Sequence, residues 1–198
     1  MKYFFVKVKS CIRHPLLFLK TFLKTSGSKS DIARWRQREN LKEDWDERTI
    51  LIASLIPAGS DVLEFGAARL VLREHLEKNC TYQPSDIVDR GDSTIVCDLN
   101  SGFPTLPRRY THTVFSGVLE YISDIGAVVD ALGDHTEVIV ASYQTIDRLP
   151  DYVTRRLHGW INHLSDEQLV ALFKQHGFHL SQSHTWHLQT IYVFENAT

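Results

Sequence analysis

The stretch Asp61-Val62-Leu63-Glu64-Phe65-Gly66-Ala67-Ala68-Arg69-Leu70 decides the fold of this chain. Its first half, with Val62, Leu63 and Phe65 and stopped by a glycine, reads as a short buried strand over residues 61–65. The chain then turns sharply into a helix running from Leu70 to Lys78. Small side chains at Ala67 and Ala68 let the backbone of that turn approach a ligand. The N–H groups exposed where the helix starts suit an anion or a carboxylate. Downstream the alternation repeats. Residues 82–88 lead into a second strand, 94–97 form a third and 113–116 a fourth. A helix follows over 125–132 and a fifth strand over 137–142. Residues 143–163 read as irregular and polar. Ser165 caps the next helix, with Gln168 in capping-box position, and Gly177 ends it. Two closing strands, 178–186 and 190–194, have no crossover helix between them and are expected to pair as an antiparallel hairpin. Upstream, Ser30 or Asp31 caps a helix, in one or two pieces, that reaches Leu55 or Ile56 before a turn at Pro57-Ala58-Gly59-Ser60. Strand and helix in this alternation define an α/β domain with a largely parallel sheet.

In an open parallel sheet, ligands bind beyond the carboxyl ends of the strands. The first strand end carries Glu64, Gly66 and Ala67. The second carries Asp86, which stands 20 residues after Gly66. That is the place of a ribose-binding acid in a nucleotide fold, because a carboxylate accepts both ribose hydroxyls. Asp98 and Leu99 follow the third strand, and a side-chain acceptor there can take an adenine amino proton. Ser116-Gly117-Val118-Leu119-Glu120-Tyr121 follows the fourth. Each signal alone is common, but the ordered set of four is not.

That set resembles the class I S-adenosylmethionine-dependent methyltransferases. Val62-Leu63-Glu64-Phe65-Gly66-Ala67 is similar to their first motif, Asp86 to their ribose acid, and Cys97-Asp98-Leu99 to their adenine-contacting motif. Ser116 to Tyr121 looks like the fourth-strand motif of many small-molecule members. The resemblance runs from about residue 45 to the end. It implies a Rossmann-like, three-layered fold with seven strands, mostly parallel, closed by the antiparallel C-terminal pair. It also implies S-adenosyl-L-methionine as cofactor, held by Glu64, Gly66, Ala67, Asp86, Asp98, Leu99, Ser116 and Gly117. The chain departs from the family at three positions, one of them His112, which stands where an acid often opens the fourth-strand motif. Ala68 and Leu70 stand where the Gly-x-Gly-x-Gly pattern has its later glycines, and Leu70 reads as part of the helix.

Methyl transfer from a sulfonium asks for positioning and, with a hydroxyl acceptor, for a general base. The candidates after the fifth strand are Tyr143, His158 and His163, with Asp147, Trp160 and Asn162 beside them. The histidines titrate near neutral pH. The ten histidines do not make a metal site: His184 and His187 point to opposite faces of a strand, and no Cys cluster or His-Glu-x-x-His pattern supports them. Trp35, Arg34, Arg36, Arg38 and Trp45 lie among acids, which spoils a nucleic-acid stripe. They read instead as an amphipathic helix folding over the cofactor site.

The 198 residues, 43% hydrophobic and 23% charged, suit one domain plus an extension. The boundary falls at residue 30, leaving a methyltransferase-like domain over 31–198. The net charge of −2 hides an asymmetry, since seven basic residues and no acid precede Asp31. Residues 1–25 place Phe5, Val8, Ile12, Leu16, Leu19 and Leu23 on one helical face, broken at Pro15. Such a segment attaches to an anionic membrane surface, or packs on the domain or a second subunit as a homodimer contact. Lys7 and Lys9 interrupt any signal-peptide core, and the unpaired Cys11, Cys80 and Cys97 fit a reducing compartment. The expected location is therefore cytoplasmic, with peripheral membrane contact as an option. The expected activity is methyl transfer to a small-molecule, glycan or lipid-linked acceptor. The competing readings are a catalytically inactive methyltransferase-fold binding or scaffolding protein and, more weakly, a dinucleotide or nucleotide-sugar enzyme.

Overall fold

A computed structural model describes residues 30–197. The amphipathic reading of residues 1–25, and with it the membrane or dimer contact, lies outside the described residues. Elements are numbered from residue 30. Seven strands form one sheet: β1 Asp61–Phe65, β2 Thr81–Asp86, β3 Ile95–Val96, β4 Tyr110–Ser116, β5 Thr136–Tyr143, β6 Phe178–Trp186 and β7 Gln189–Asn196. Their order across the sheet is β3-β2-β1-β4-β5-β7-β6. Strands β1 to β5 run parallel, and β7 lies antiparallel between β5 and β6. The chain thus works outward from β1 to one edge, crosses back to β4, and closes with a hairpin.

The period-two alternation of the strands makes two cores. Leu63, Phe65, Phe115, Ile139, Ala141, Tyr192 and Phe194 face one side. They meet Ile125, Val128, Val129 and Leu132 of helix α4 (Ile125–Leu132) and Leu169 and Phe173 of helix α6 (Asp166–Gln175). Val62, Val114, Val140, Ile191 and Val193 face the other side, against Ile52 of α2 (Asp46–Ala53) and Leu72 of α3 (Val71–His75). Ring stacking tightens the first core, with Phe173 and Phe194 centroids 3.9 Å apart. The result is the expected three-layered α/β architecture.

The helices start where side chains can satisfy their free N–H groups. Asp124 accepts from the Ala127 N–H in α4. Ser165 and Gln168 form a reciprocal capping box in α6, worth about 1 kcal/mol. Three expectations need correction. The helix expected from residue 30 or 31 to 55 or 56 is broken into α1 (Ile32–Arg36), 3-10 turns at Arg38–Asn40 and Glu43–Trp45, and α2. The helix expected from Leu70 starts at Val71, because Leu70 adopts φ +63°. Residues 143–163 contain α5 (Tyr152–Leu157), capped by Asp151. Its inward face carries Arg155 and Arg156, both buried, so it reads as polar loop although it is packed. Among the described residues, no helix is long and apolar enough to cross a membrane.

Candidate functional site

The parallel strands β1, β2, β3 and β4 all end at one cavity of about 460 Å³. Crossing from the β3 side of the sheet to the β4 side leaves a crevice there, which is where open α/β sheets take ligands. The eight residues singled out for the cofactor, Glu64, Gly66, Ala67, Asp86, Asp98, Leu99, Ser116 and Gly117, all line it.

The loop after β1 forms the floor. Gly66 has φ +74°, and a Cβ there would lie 2.4 Å from Val118 Cγ2. Only glycine lets the two strand-end loops approach so closely. Ala68 and Leu70 also adopt left-handed backbone, with φ +48° and +63°. The loop therefore takes left-handed backbone at three alternate positions, two of which are not glycine. It is pinned by Gly66 and Ala67 N–H donating to Ser85 O, and by Ala68 N–H donating to Asp86 Oδ2 at 2.9 Å. Glu64 is 2% exposed and accepts a hydrogen bond from the Tyr82 hydroxyl. Burial pushes its carboxyl up to about 8, against the opposing pull of the Tyr82 hydrogen bond.

At the next two strand ends the acids are already engaged. Asp86 Oδ1 accepts from Val88 N–H at 2.9 Å and pairs with Arg90 Nη2 at 3.1 Å. Arg90 in turn donates to Trp35 O at 2.9 Å. Asp98 Oδ1 accepts from the Ser30 hydroxyl at 2.6 Å and from Asn100 N–H, and Oδ2 accepts from Ser101. Arg34 Nη1 donates to His158 O at 2.7 Å. Residues 30–45 thus form a strap across the cavity mouth, tied at three of its corners. The expected amphipathic helix over the site exists as this strap rather than as one helix.

Arg48, on α2, is a residue that sequence reasoning missed. It is 5% exposed and donates to Ser116 Oγ and O, both at 3.1 Å, and to Gln189 Oε1 at 2.9 Å. Gly117 makes room for it, since a Cβ there would lie 2.6 Å from Arg48 Nη1. Among the described residues no carboxylate pairs with Arg48 directly. Glu120, 1% exposed, faces it through Gln189, whose Nε2 lies 3.5 Å from Glu120 Oε1. Burial raises the Glu120 carboxyl, opposed by the backbone hydrogen bonds it accepts. A buried cation held only by neutral acceptors is a ready seat for a ligand carboxylate. The buried face of α2 carries Arg48 and Thr49 with Ile52 and Ala53, while Ile50 is exposed; the only sequence signal is that Arg48 stands four and eight residues before Ile52 and Ile56, on their helical face.

The three catalytic candidates separate. His158 lines the cavity and stacks on Trp160 at 5.0 Å. Burial lowers its pKa, with Arg34 and Arg155 adding to the shift. Tyr143 and His163 do not line the cavity. Tyr143 is fully buried, donates to Asn162 Oδ1 at 2.6 Å and accepts from Leu164 N–H at 2.9 Å. His163 accepts from Arg155 Nε at 2.9 Å and packs on Tyr152. Both staple the segment after β5 to the core. Among the described residues, no group of three or more His, Cys, Asp or Glu side chains is placed to hold a metal ion.

This strand order with its reversed final pair is the class I methyltransferase fold, and solved structures share it. Mitomycin 7-O-methyltransferase MmcR superposes with a TM-score of 0.66 at 11% identity, covering 96% of this chain and 72% of that one. The Burkholderia thailandensis 1,6-didemethyltoxoflavin-N1-methyltransferase, solved with 1,6-didemethyltoxoflavin and S-adenosylhomocysteine bound, gives 0.59 at 12%, covering 91% and 86%. The pyocyanin biosynthetic protein PhzM gives 0.57 at 15%, covering 75% of this chain and only 54% of that one, so the chain matches about half of its length. At these identities the likeness is one of fold. No family model matches the chain, and no curated protein does.

Proposed function

We propose that the chain is an S-adenosyl-L-methionine-dependent methyltransferase with a small-molecule, glycan or lipid-linked acceptor. The observation that carries the reading is the backbone of residues 66–70. Gly66, Ala68 and Leu70 are all left-handed, although non-glycine residues adopt that region at a cost. A chain that retains this turn without its glycines retains it for what the turn holds. Asp86 and Asp98 stand at the next two strand ends in the order a nucleoside needs.

S-adenosyl-L-methionine supplies an activated methyl on a sulfonium, transferred by in-line displacement. Asp86 would take the ribose hydroxyls and Asp98 the adenine amino group, with Ile87 and Leu99 against the base. Arg48 would hold the methionine carboxylate. Glu64 would face the ammonium and give up its proton to do so. The Ser30 and Arg90 ties on the two acids would loosen as the ligand arrives. His158, kept neutral by its lowered pKa, would accept the acceptor's proton. Its replacement by Asn is expected to lower kcat by about 10²–10⁴-fold with little effect on KM. The rising limb of the pH–rate profile should lie below the ordinary histidine value of 6.5.

A binding module without transfer activity is the second reading. One observation favours it: Arg90 and Ser30 already hold the two acids from within the chain. Calorimetric titration with S-adenosylmethionine and S-adenosylhomocysteine, on the protein and on Asp86→Ala, tests the proposal. Binding near −8 kcal/mol, about micromolar, that is lost in the variant is the expected result. No heat from either ligand would overturn it.

A further inference from the structure

The two acids that the proposed donor needs are both held by the chain itself, and both holds lead to residues 30–35. The Ser30 hydroxyl donates to Asp98 Oδ1 at 2.6 Å and accepts from Asn100 Nδ2 at 2.9 Å. Asp98 Oδ1 also accepts from Asn100 N–H, so its two lone pairs are taken. A hydroxyl donating there does what an adenine amino group would do. At the other acid, one nitrogen of Arg90, Nη2, pairs with Asp86 Oδ1 at 3.1 Å and donates to Trp35 O at 2.9 Å. Asp86 Oδ1 is likewise filled, since Val88 N–H donates to it as well. A single guanidinium thus ties the ribose acid to the strap.

Two further observations set these ties apart from ordinary packing. The first is that the strap has a shaped seat. Arg34 Nη1 donates to His158 O at 2.7 Å, beside Gly159 at φ +86°, where a Cβ would lie 2.8 Å from that same nitrogen. A side chain at 159 and Arg34 in its present place exclude each other. Trp35 meets the Tyr121 ring edge-on at 5.1 Å. The strap is therefore fastened at a point that touches neither acid. The second observation concerns Arg90. Its side chain is 9% exposed, yet its Nε has no hydrogen-bond partner among the described residues. A buried donor left unmet is costly. Arg90 is incompletely satisfied where it stands, which lowers the cost of displacing it from Asp86.

We infer that residues 30–35 are a self-inhibitory latch, which fills the adenine acid through Ser30 and the ribose acid through Arg90 and has to release both for the methyl donor to bind. The inference rests on the methyl-donor reading above and adds the regulation of that site. Latch and donor compete for the same carboxylate oxygens, so the closed form binds the donor poorly and the open form binds it well. The apparent dissociation constant is then the intrinsic one divided by the open fraction. Arg90 carries the signal. When ribose hydroxyls take Asp86, the guanidinium loses its charged partner, and the tie to Trp35 O is loosened with it. Arg34 holds the strap without holding an acid, so its tie bears only on the balance between closed and open.

The test compares the full chain with Ser30→Ala and Arg34→Ala, using S-adenosylhomocysteine as the probe in calorimetry and thermal melts of each empty protein. Loss of either tie should lower the melting temperature of the empty protein and at the same time tighten the probe. The expected gain is about three- to ten-fold for Ser30→Ala and about two- to five-fold for Arg34→Ala. The two opposite changes together are the signature of a latch. A contact that only holds the fold together lowers the melting temperature without a gain in affinity, and a contact to the ligand weakens binding when it is removed. Affinity equal to or weaker than the parent's in either variant would overturn the latch and leave the donor reading in place. Heat from the variants but none from the parent supports the latch in its strongest form. Absence of heat from all three proteins overturns the donor reading, and the latch with it.

Discussion

Ala68 offers a direct test of the loop that underlies the functional reading. Its φ of +48° puts a Cβ where an L-residue pays a steric cost, and its N–H is committed to Asp86 Oδ2 at 2.9 Å. That cost is about 1–2 kcal/mol in the left-handed region. Ala68→Gly removes it and keeps the N–H, but adds about 0.4–1 kcal/mol of unfolded-chain entropy. The net stabilisation is about 0.5–1 kcal/mol. At roughly 2–4 °C per kcal/mol for a chain of this size, Tm should rise by about 1–4 °C. The counterpart is Gly66→Ala. It adds the same backbone strain at φ +74° and a methyl 2.4 Å from Val118 Cγ2. Overpacking adds a further 1–3 kcal/mol or so, the alanine returns about 0.4–1 kcal/mol of unfolded-chain entropy, and Tm should fall by at least about 2 °C. Calorimetric or circular-dichroism melts of both variants read the result. A lower Tm for Ala68→Gly would refute the left-handed loop, and the glycine-motif argument with it.

Three further outcomes follow from the site. Arg48→Ala removes the proposed carboxylate seat and should weaken S-adenosylhomocysteine about ten- to hundred-fold by calorimetry; unchanged affinity would place the carboxylate elsewhere. Glu64 has its folded pKa raised from 4.5 to about 8, so the folded state binds more protons in that window. Its contribution to stability is full below about pH 4.5 and is lost as pH rises to about 8. Subtracting the Tm-versus-pH curve of Glu64→Gln from that of the parent should leave a difference that falls across this window, and a flat difference would contradict the burial argument. Tyr143→Phe breaks two buried hydrogen bonds and should cost about 1–3 kcal/mol in denaturant unfolding, without changing S-adenosylhomocysteine affinity.

The strands that carry the site were legible because local pattern and global role agree there. Val62, Leu63 and Phe65 are apolar, feed the cores on both faces of the sheet and are followed by Gly66, so one short run settles strand, turn and ligand end together. The α4 and α6 helices and the closing hairpin were equally plain, through a capping box at Ser165 and strand periodicity after Gly177. What escaped reading was set by long-range packing. Leu70 has an ordinary helical side chain, and only the loop it closes forces it out of the helix. α5 hides because Arg155 and Arg156 look solvated in sequence, while one stacks on Trp160 and the other on Tyr152. Tyr143, the last residue of β5, and His163, in the loop that follows His158, face inward, since polar atoms of theirs are taken by Asn162, Leu164 and Arg155. Arg48 lies 68 residues from Ser116, a pairing that no local pattern encodes. The ordered acids were visible; their partners on the strap were not.

The central claim is that one cavity at the strand ends holds S-adenosylmethionine by its two acids and Arg48. A crystal structure of the protein with S-adenosylhomocysteine tests it most directly. The account predicts the ribose on Asp86, the adenine amino group on Asp98 with Ser30 displaced, and the carboxylate on Arg48. An empty cavity at saturating ligand, or a ligand seated with its carboxylate away from Arg48 and its ribose away from Asp86, would contradict it.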